Sequence, residues 1–186
     1  MSNKPLSSEA FLPPTLSHGD YTLRPFRLSD ARDWSTYLSD PLVTRHTSWG
    51  QVDPVTIETL VRRLIAEYST GASCRLVVTR SGDDRLVGTC GFKWWSLVNL
   101  DAELVYDLAR GYWRRGIMRI AVETVLDWAF SDVGLKRVEA LVMTTNQPSI
   151  ALLERCGFTR ESLLRNYRIA QGIPRDFYMY SRSKFA

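Results

Sequence analysis

Cysteine and histidine are scarce in this chain: three cysteines and two histidines in 186 residues. The cysteines, Cys74, Cys90 and Cys156, form no C-x-x-C pair. That arithmetic argues against a disulfide framework and a zinc cluster, and it suits a reducing, cytoplasmic compartment. No apolar run approaches the roughly 18–20 residues needed to cross a bilayer. The opening segment MSNKPLSSEAFLPPTLSHGD has no apolar stretch of the kind a secretory signal carries, so none is expected. The phosphate-binding patterns GxxxxGK[ST] and GxGxxG are also missing. Lysine is rare among the bases: four of the 24 basic residues are Lys and the rest Arg, for a net charge of +4. Arginine favours bidentate contact with phosphate and carboxylate. With 45% hydrophobic residues spread along the chain, collagen-like and disordered classes drop out. One domain large enough to bury its own core is expected.

Residues 1–20 hold Pro5, Pro13, Pro14 and Gly19 without periodicity and read as an N-terminal arm before a domain over 21–186. YTLRPF alternates like a strand, and Ser29 is placed to cap a helix that stops before Pro41. Residues 41–53 read as a loop. Asp53-Pro54 starts a second helix that ends at Gly71. SCRLVVTR, the turn SGDD and RLVGTCGFKWWSLV read as a hairpin, and NLDAELVYDLA alternates again. In it Glu103 and Val105 share one face, Leu104 and Tyr106 the other. After GYWRRG the period becomes helical. LKRVEALVM is a strand, NQPSIALLERCGF a short helix ending at Gly157, and two last strands flank Gln171-Gly172. The order predicts a mixed α/β domain with about seven strands and about four helices.

The chemistry is expected between residues 102 and 130. A strand runs through an Arg/Gly loop directly into a helix start, where unpaired N–H groups and the positive end of the helix dipole face one spot. Gly116 keeps that spot open, and Arg110, Arg114, Arg115 and Arg119 surround it. This is the architecture of a pyrophosphate site, although a plain helix start with solvated arginines fits the spacing as well. The second feature is Asn146-Gln147-Pro148-Ser149 after a strand, where Asn146 and Ser149 can cap the helix or face a ligand.

In order and spacing, TLRPFRLSDA, LVGTCGF, AELVYDL with YWRRGIM, NQPSIALLERCGF and GIPRDFYMYS resemble the GNAT superfamily of acetyl-CoA-dependent N-acetyltransferases. The nearest branch is the RimJ/RimL-like enzymes that acetylate ribosomal-protein N-termini. The resemblance spans Tyr21 to about Ser183. The superfamily's Q/R-x-x-G-x-G/A signature falls on Trp113 to Met118; only Gly116 matches strictly, and Met118 replaces a small residue. The resemblance implies a single-domain, mostly antiparallel sheet with a V-shaped cleft. Acetyl-CoA would lie there as co-substrate, its pyrophosphate on the N–H groups of Arg114, Arg115, Gly116, Ile117, Met118 and Arg119. Its pantetheine arm would lie on strand amides at Tyr106, Asp107 and Leu108, with Asn146 and Ser149 beside it.

Direct attack of a neutral amine on the thioester needs a base, a stabilised oxyanion and an acid for the leaving thiolate. On the resemblance Glu103 is the base and Ser149 the acid. Where many relatives carry an acidic tyrosine this chain has Leu153, and the glutamate of some RimL-like enzymes falls on Arg168. Tyr106 and Tyr167 read as spare polar groups. Trp94, Trp95 and Trp128 read as packing aromatics, and His46 and Trp49 as packing first and acceptor lining second. Glu103 itself is as well explained by pairing with an arginine. The acceptor is expected to be a protein N-terminal amine or a small amine; no strong acidic cluster at 29–53 favours a polycation. No membrane partner is expected and nucleic acid is disfavoured. The chain is expected as monomer or homodimer. The competing function is a catalytically silent acyl-CoA-binding or regulatory module on the same fold.

Overall fold

The structure, a computed structural model, describes residues 13–47 and 53–184. They form one mixed sheet in the order β1-β2-β3-β4-β5-β6-β8-β7. The strands are β1 (Leu16–His18), β2 (Tyr21–Arg24), β3 (Cys74–Arg80), β4 (Asp83–Ser96), β5 (Asp101–Leu108), β6 (Arg137–Met143), β7 (Thr159–Ala170) and β8 (Ile173–Ser183). Five α-helices accompany them: α1 (Asp30–Leu38), α2 (Pro41–Thr44), α3 (Pro54–Thr70), α4 (Ile117–Trp128) and α5 (Gln147–Arg155). All strand pairs are antiparallel except β5 with β6. Among the described helices, none is long and apolar enough to cross a membrane.

The eighth strand, β1, lies inside the segment expected as an arm, where Leu16 to His18 pair with Tyr21 to Leu23. The fifth helix, α2, occupies the expected loop because Pro41 sets its first turn and Asp40 accepts from the Leu42 N–H at 3.0 Å. Ser29 makes no capping bond. Asp30 takes over that corner: its carboxylate accepts from the Arg27 N–H at 2.6 Å and pairs with the buried Arg24 guanidinium at 2.8 Å.

Two apolar layers cover the sheet. Helix α4 seats Ile117, Met118, Ala121, Val122, Val125 and Leu126 on one face, against Ala102, Leu104, Val138 and Ala140. Helices α1 and α3 pack Trp34, Leu38, Ile57, Val61 and Leu64 against Val77 and Leu86 on the other. Trp95 belongs to the first layer, near Phe92 and Trp128. β3 and β4 approach so closely at Gly91 that a Cβ there would lie 2.1 Å from the Cys74 carbonyl oxygen.

Candidate active site

The parallel ladder between β5 and β6 is short. It pairs Asp101 with Arg137, Ala102 with Val138 and Glu103 with Glu139, then stops. β5 continues to Leu108 on β4, and β6 to Met143 on β8, so the two strands part and open a V. On the β4 side the register slips between Phe92 and Trp94, opposite the fork, leaving Lys93 as an extra residue.

Past the fork, backbone groups of β5 alternate between β4 and the cleft. The Ala109 N–H donates to the Val87 carbonyl at 2.9 Å, so Asp107, two residues back, also turns its backbone to β4. Tyr106 and Leu108 therefore aim their N–H and C=O groups into the cleft. The Leu108 carbonyl is taken by the Trp113 indole N–H at 2.8 Å, which ties the following loop to the strand.

That loop holds two left-handed residues, Arg114 at φ 60° and Gly116 at φ 76°. Alternation of this kind turns successive N–H groups inward into an anion-binding concavity, and α4 begins immediately after it. Its first N–H groups have no partner within the helix. Nothing lies within 4 Å of the position a Gly116 Cβ would occupy, so the backbone angle alone selects glycine there. Ile117 and Met118 are 1% and 7% exposed. Their side chains belong to the core, which is why a bulky Met118 is tolerated in place of the usual small residue: only its backbone faces outward.

The arginines divide differently from the sequence expectation. Arg110 pairs with Asp40 at 2.8 Å and Arg119 with Glu123 at 2.8 Å along α4. Arg115 lies over the Tyr112 ring. Arg114 has no ion-pair partner among the described residues. The turn's backbone, with Arg114 and Arg115 beside it, is therefore a candidate anion site.

On the α4 side of the fork the Tyr106 and Ser149 hydroxyls hydrogen-bond at 2.5 Å. Burial pushes the Tyr106 phenol well above its ordinary range, opposed by the bond to Ser149. Asn146 caps α5, its side-chain oxygen accepting from the Ser149 N–H at 3.3 Å, and so fixes the residue that carries the hydroxyl. Leu153 is 1% exposed in the core and offers no substitute for a tyrosine. Tyr106 was expected here through its backbone; its hydroxyl contact joins residues 43 apart and leaves no local signal. Burial raises the Cys156 thiol to about 11, which makes it a packing residue.

Glu103 lies on the opposite face and is 6% exposed. Its carboxylate accepts from the Trp94 indole N–H at 2.9 Å and from Arg168 at 3.3 Å, with the Lys93 ammonium at 3.8 Å. The arginine pairing weighed from the sequence is present, and Trp94, read there as packing, is a ligand of this carboxylate. Strand alternation was the available signal: Trp95 faces the core, so Trp94 must face Glu103, its cross-strand partner. Two carboxylate acceptor positions remain for water or substrate.

Asp107 differs from the expectation. Its carboxylate accepts from Arg75 at 2.5 Å, from Thr89 at 2.8 Å and from the Tyr37 hydroxyl. It braces α1, β3 and β4 behind the cleft and offers neither its N–H nor its side chain to it. His46 is half-buried with Nδ1 3.5 Å from the Thr145 hydroxyl. Burial, then the charges of Arg45 and Arg175, lower its pKa. Trp49 lies outside the described residues.

Comparison with known proteins assigns the chain to a family. Residues 20–159 match the acetyltransferase (GNAT) domain family. The chain is 37% identical over 164 residues to the uncharacterized N-acetyltransferase p20 of Bacillus licheniformis, covering 88% of this chain and 92% of that one. The fold superposes on Mycobacterium smegmatis RimJ in complex with CoA-disulfide at TM-score 0.80 and 27% identity, covering 93% and 88% of the two chains. It also superposes on the ribosomal-protein-S5-alanine acetyltransferase of Vibrio fischeri at TM-score 0.81 and 21% identity, covering 91% and 96%. The chain belongs to the GNAT family of acetyltransferases, whose co-substrate is acetyl-CoA.

Proposed function

We propose that this protein transfers acetyl from acetyl-CoA to a primary amine, a protein N-terminal amine or a small one, by direct attack in a ternary complex. The observation that carries this reading is the fork after Glu103 and Glu139, which brings the left-handed turn at Arg114 and Gly116, two strand positions that face away from β4 and a hydroxyl pair to one opening. The turn from Arg114 to Arg119 receives the pyrophosphate, through the N–H groups of Gly116, Ile117 and Met118 above all. Tyr106 and Leu108 hold the pantetheine arm by their backbone, with Asn146 setting the start of α5.

Holding amine and thioester together supplies much of the rate. On the far face, Glu103 receives the amine proton through a water, since its oxygens already serve Trp94 and Arg168. On the near face, Ser149 donates to the sulfur as the C–S bond breaks, with Tyr106 behind it. The amine nitrogen gains the acetyl group, and the proton it sheds balances the one that coenzyme A takes up as thiol. Similarity to a ribosomal-protein-S5-alanine acetyltransferase supports a protein as acceptor.

A screen for thiol release from acetyl-CoA tests the reading, with N-terminal peptides, amino acids, polyamines and aminoglycosides as acceptors. Turnover that falls in both Glu103→Gln and Ser149→Ala supports the assignments. Coenzyme A binding without release with any amine would instead favour the silent acyl-CoA module.

A further inference from the structure

The β7–β8 hairpin carries an arginine with no ion-pair partner among the described residues. On the β7–β8 hairpin Arg168 and Arg175 are register partners, directly opposite one another. Side chains so placed share a face with Cβ atoms about 4.5–5.5 Å apart, and like charges there repel. Glu103 offsets one of the two, through its bond to Arg168. Arg175 has no carboxylate within ion-pair distance among the described residues.

Arg175 also lines a cavity of about 260 Å³ with Met143, Thr144, Thr145, Pro174 and Asp176. This cavity sits at the end of β6, where the cleft is open. Asp176, its one acidic group, accepts from the Asn166 N–H at 2.8 Å. His46 reaches the rim at Thr145, where burial first and then the charges of Arg45 and Arg175 lower its pKa. The site therefore presents the Arg175 guanidinium, two threonine hydroxyls and room for a small anion, with Asp176 turned to the Asn166 N–H, directly across the hairpin from the arginine that holds Glu103.

We propose that Arg175 binds a carboxylate of the acceptor, and that the preferred acceptor is an amine with a carboxylate one residue away. That carboxylate is the side chain of a peptide's second residue or the terminal carboxylate of a dipeptide. The inference rests on the amine-transfer reading above. Arg175 stands directly opposite Arg168, whose guanidinium meets Glu103 at 3.3 Å, so a carboxylate next to an amine held at Glu103 faces Arg175. A guanidinium is suited to this recognition because its planar donors fit a carboxylate bidentately.

The test measures kcat/KM with acetyl-CoA for amidated Ser-Asp-Ala-Ala, Ser-Asn-Ala-Ala and Ser-Lys-Ala-Ala, and for Ala-Ala beside its amide. The two sets separate the side-chain source of the carboxylate from the terminal one. Wild-type protein should prefer a carboxylate acceptor over its neutral amide by about tenfold, the order expected of one charge-assisted contact. Arg175→Gln should bring that ratio close to one, and Arg175→Glu should turn it toward the lysine peptide. Equal use of acid and amide by the wild type overturns the proposal, and that comparison needs no variant to fold. A preference that survives Arg175→Gln also overturns it. Acetylation of amines with no charge preference sinks this inference alone, whereas absence of any acetylation sinks the transferase reading with it.

Discussion

Tyr106 and Ser149 meet at 2.5 Å across the opening between β5 and α5, hydroxyl to hydroxyl. The contact joins two half-buried hydroxyls, while Leu153 lies in the core. If the pair acts as a unit on the leaving thiolate, removing either hydroxyl should cost about 10²-fold in kcat, the range of a single acid–base group. Ser149→Ala and Tyr106→Phe should then combine to little more than either alone. Steady-state rates of the two single variants and the double variant decide this. Independent, multiplying effects would separate the two groups.

Gly116 stands in left-handed backbone with open space around it. Gly116→Ala should therefore act through conformation alone, at about 1–2 kcal/mol for an L-residue held at that angle. Because the strain falls on the anion turn, coenzyme A affinity should drop while the core of α4 stays packed. Calorimetric titration with coenzyme A checks the first expectation and far-ultraviolet circular dichroism the second.

Asp107 is a brace. Three side chains, from α1, β3 and β4, donate to its carboxylate, and its pair with Arg75 is largely buried. Asp107→Ala should destabilise the fold by about 3–5 kcal/mol, because it leaves a buried guanidinium uncompensated. Urea unfolding should show a lower midpoint with an unchanged slope.

Glu161 fastens the outer strands. Paired hydrogen bonds from Arg137, then one from Ser181, hold its carboxyl at about 2, below the 4.5 of a free glutamate. A folded-state value below the unfolded one stabilises the fold above about pH 4.5, and that contribution disappears as the pH falls toward 2. Glu161→Gln should flatten the stability profile across that window. Thermal melts at pH 5, 4 and 3, read for both proteins, make the comparison.

Much of the fold was legible because local signals agreed with it. The Asp53-Pro54 cap, Gly71, the Gln171-Gly172 turn and the apolar period of α4 each act within a few residues. The turn from Arg114 to Gly116 was legible for the same reason. Ser29 misled because the deciding interaction, Arg24 with Asp30 and Asp84, draws on a residue 60 positions away. Likewise Asp107 looked like part of the cofactor strand until Arg75 and Tyr37 came to it from other elements. The Tyr106–Ser149 pair and the hold of Trp94 and Arg168 on Glu103 depend on register and strand order. Single-residue patterns do not carry those.

The proposed reaction carries acetyl from acetyl-CoA to an amine nitrogen at the fork between β5 and β6. Its most direct measurement follows coenzyme A thiol release together with the mass of the acceptor, for wild type and Ser149→Ala. One thiol should appear for each amine acetylated, with the variant about 10²-fold slower at similar coenzyme A affinity. Coenzyme A binding with no acetylated amine, or a variant as fast as the wild type, would contradict it.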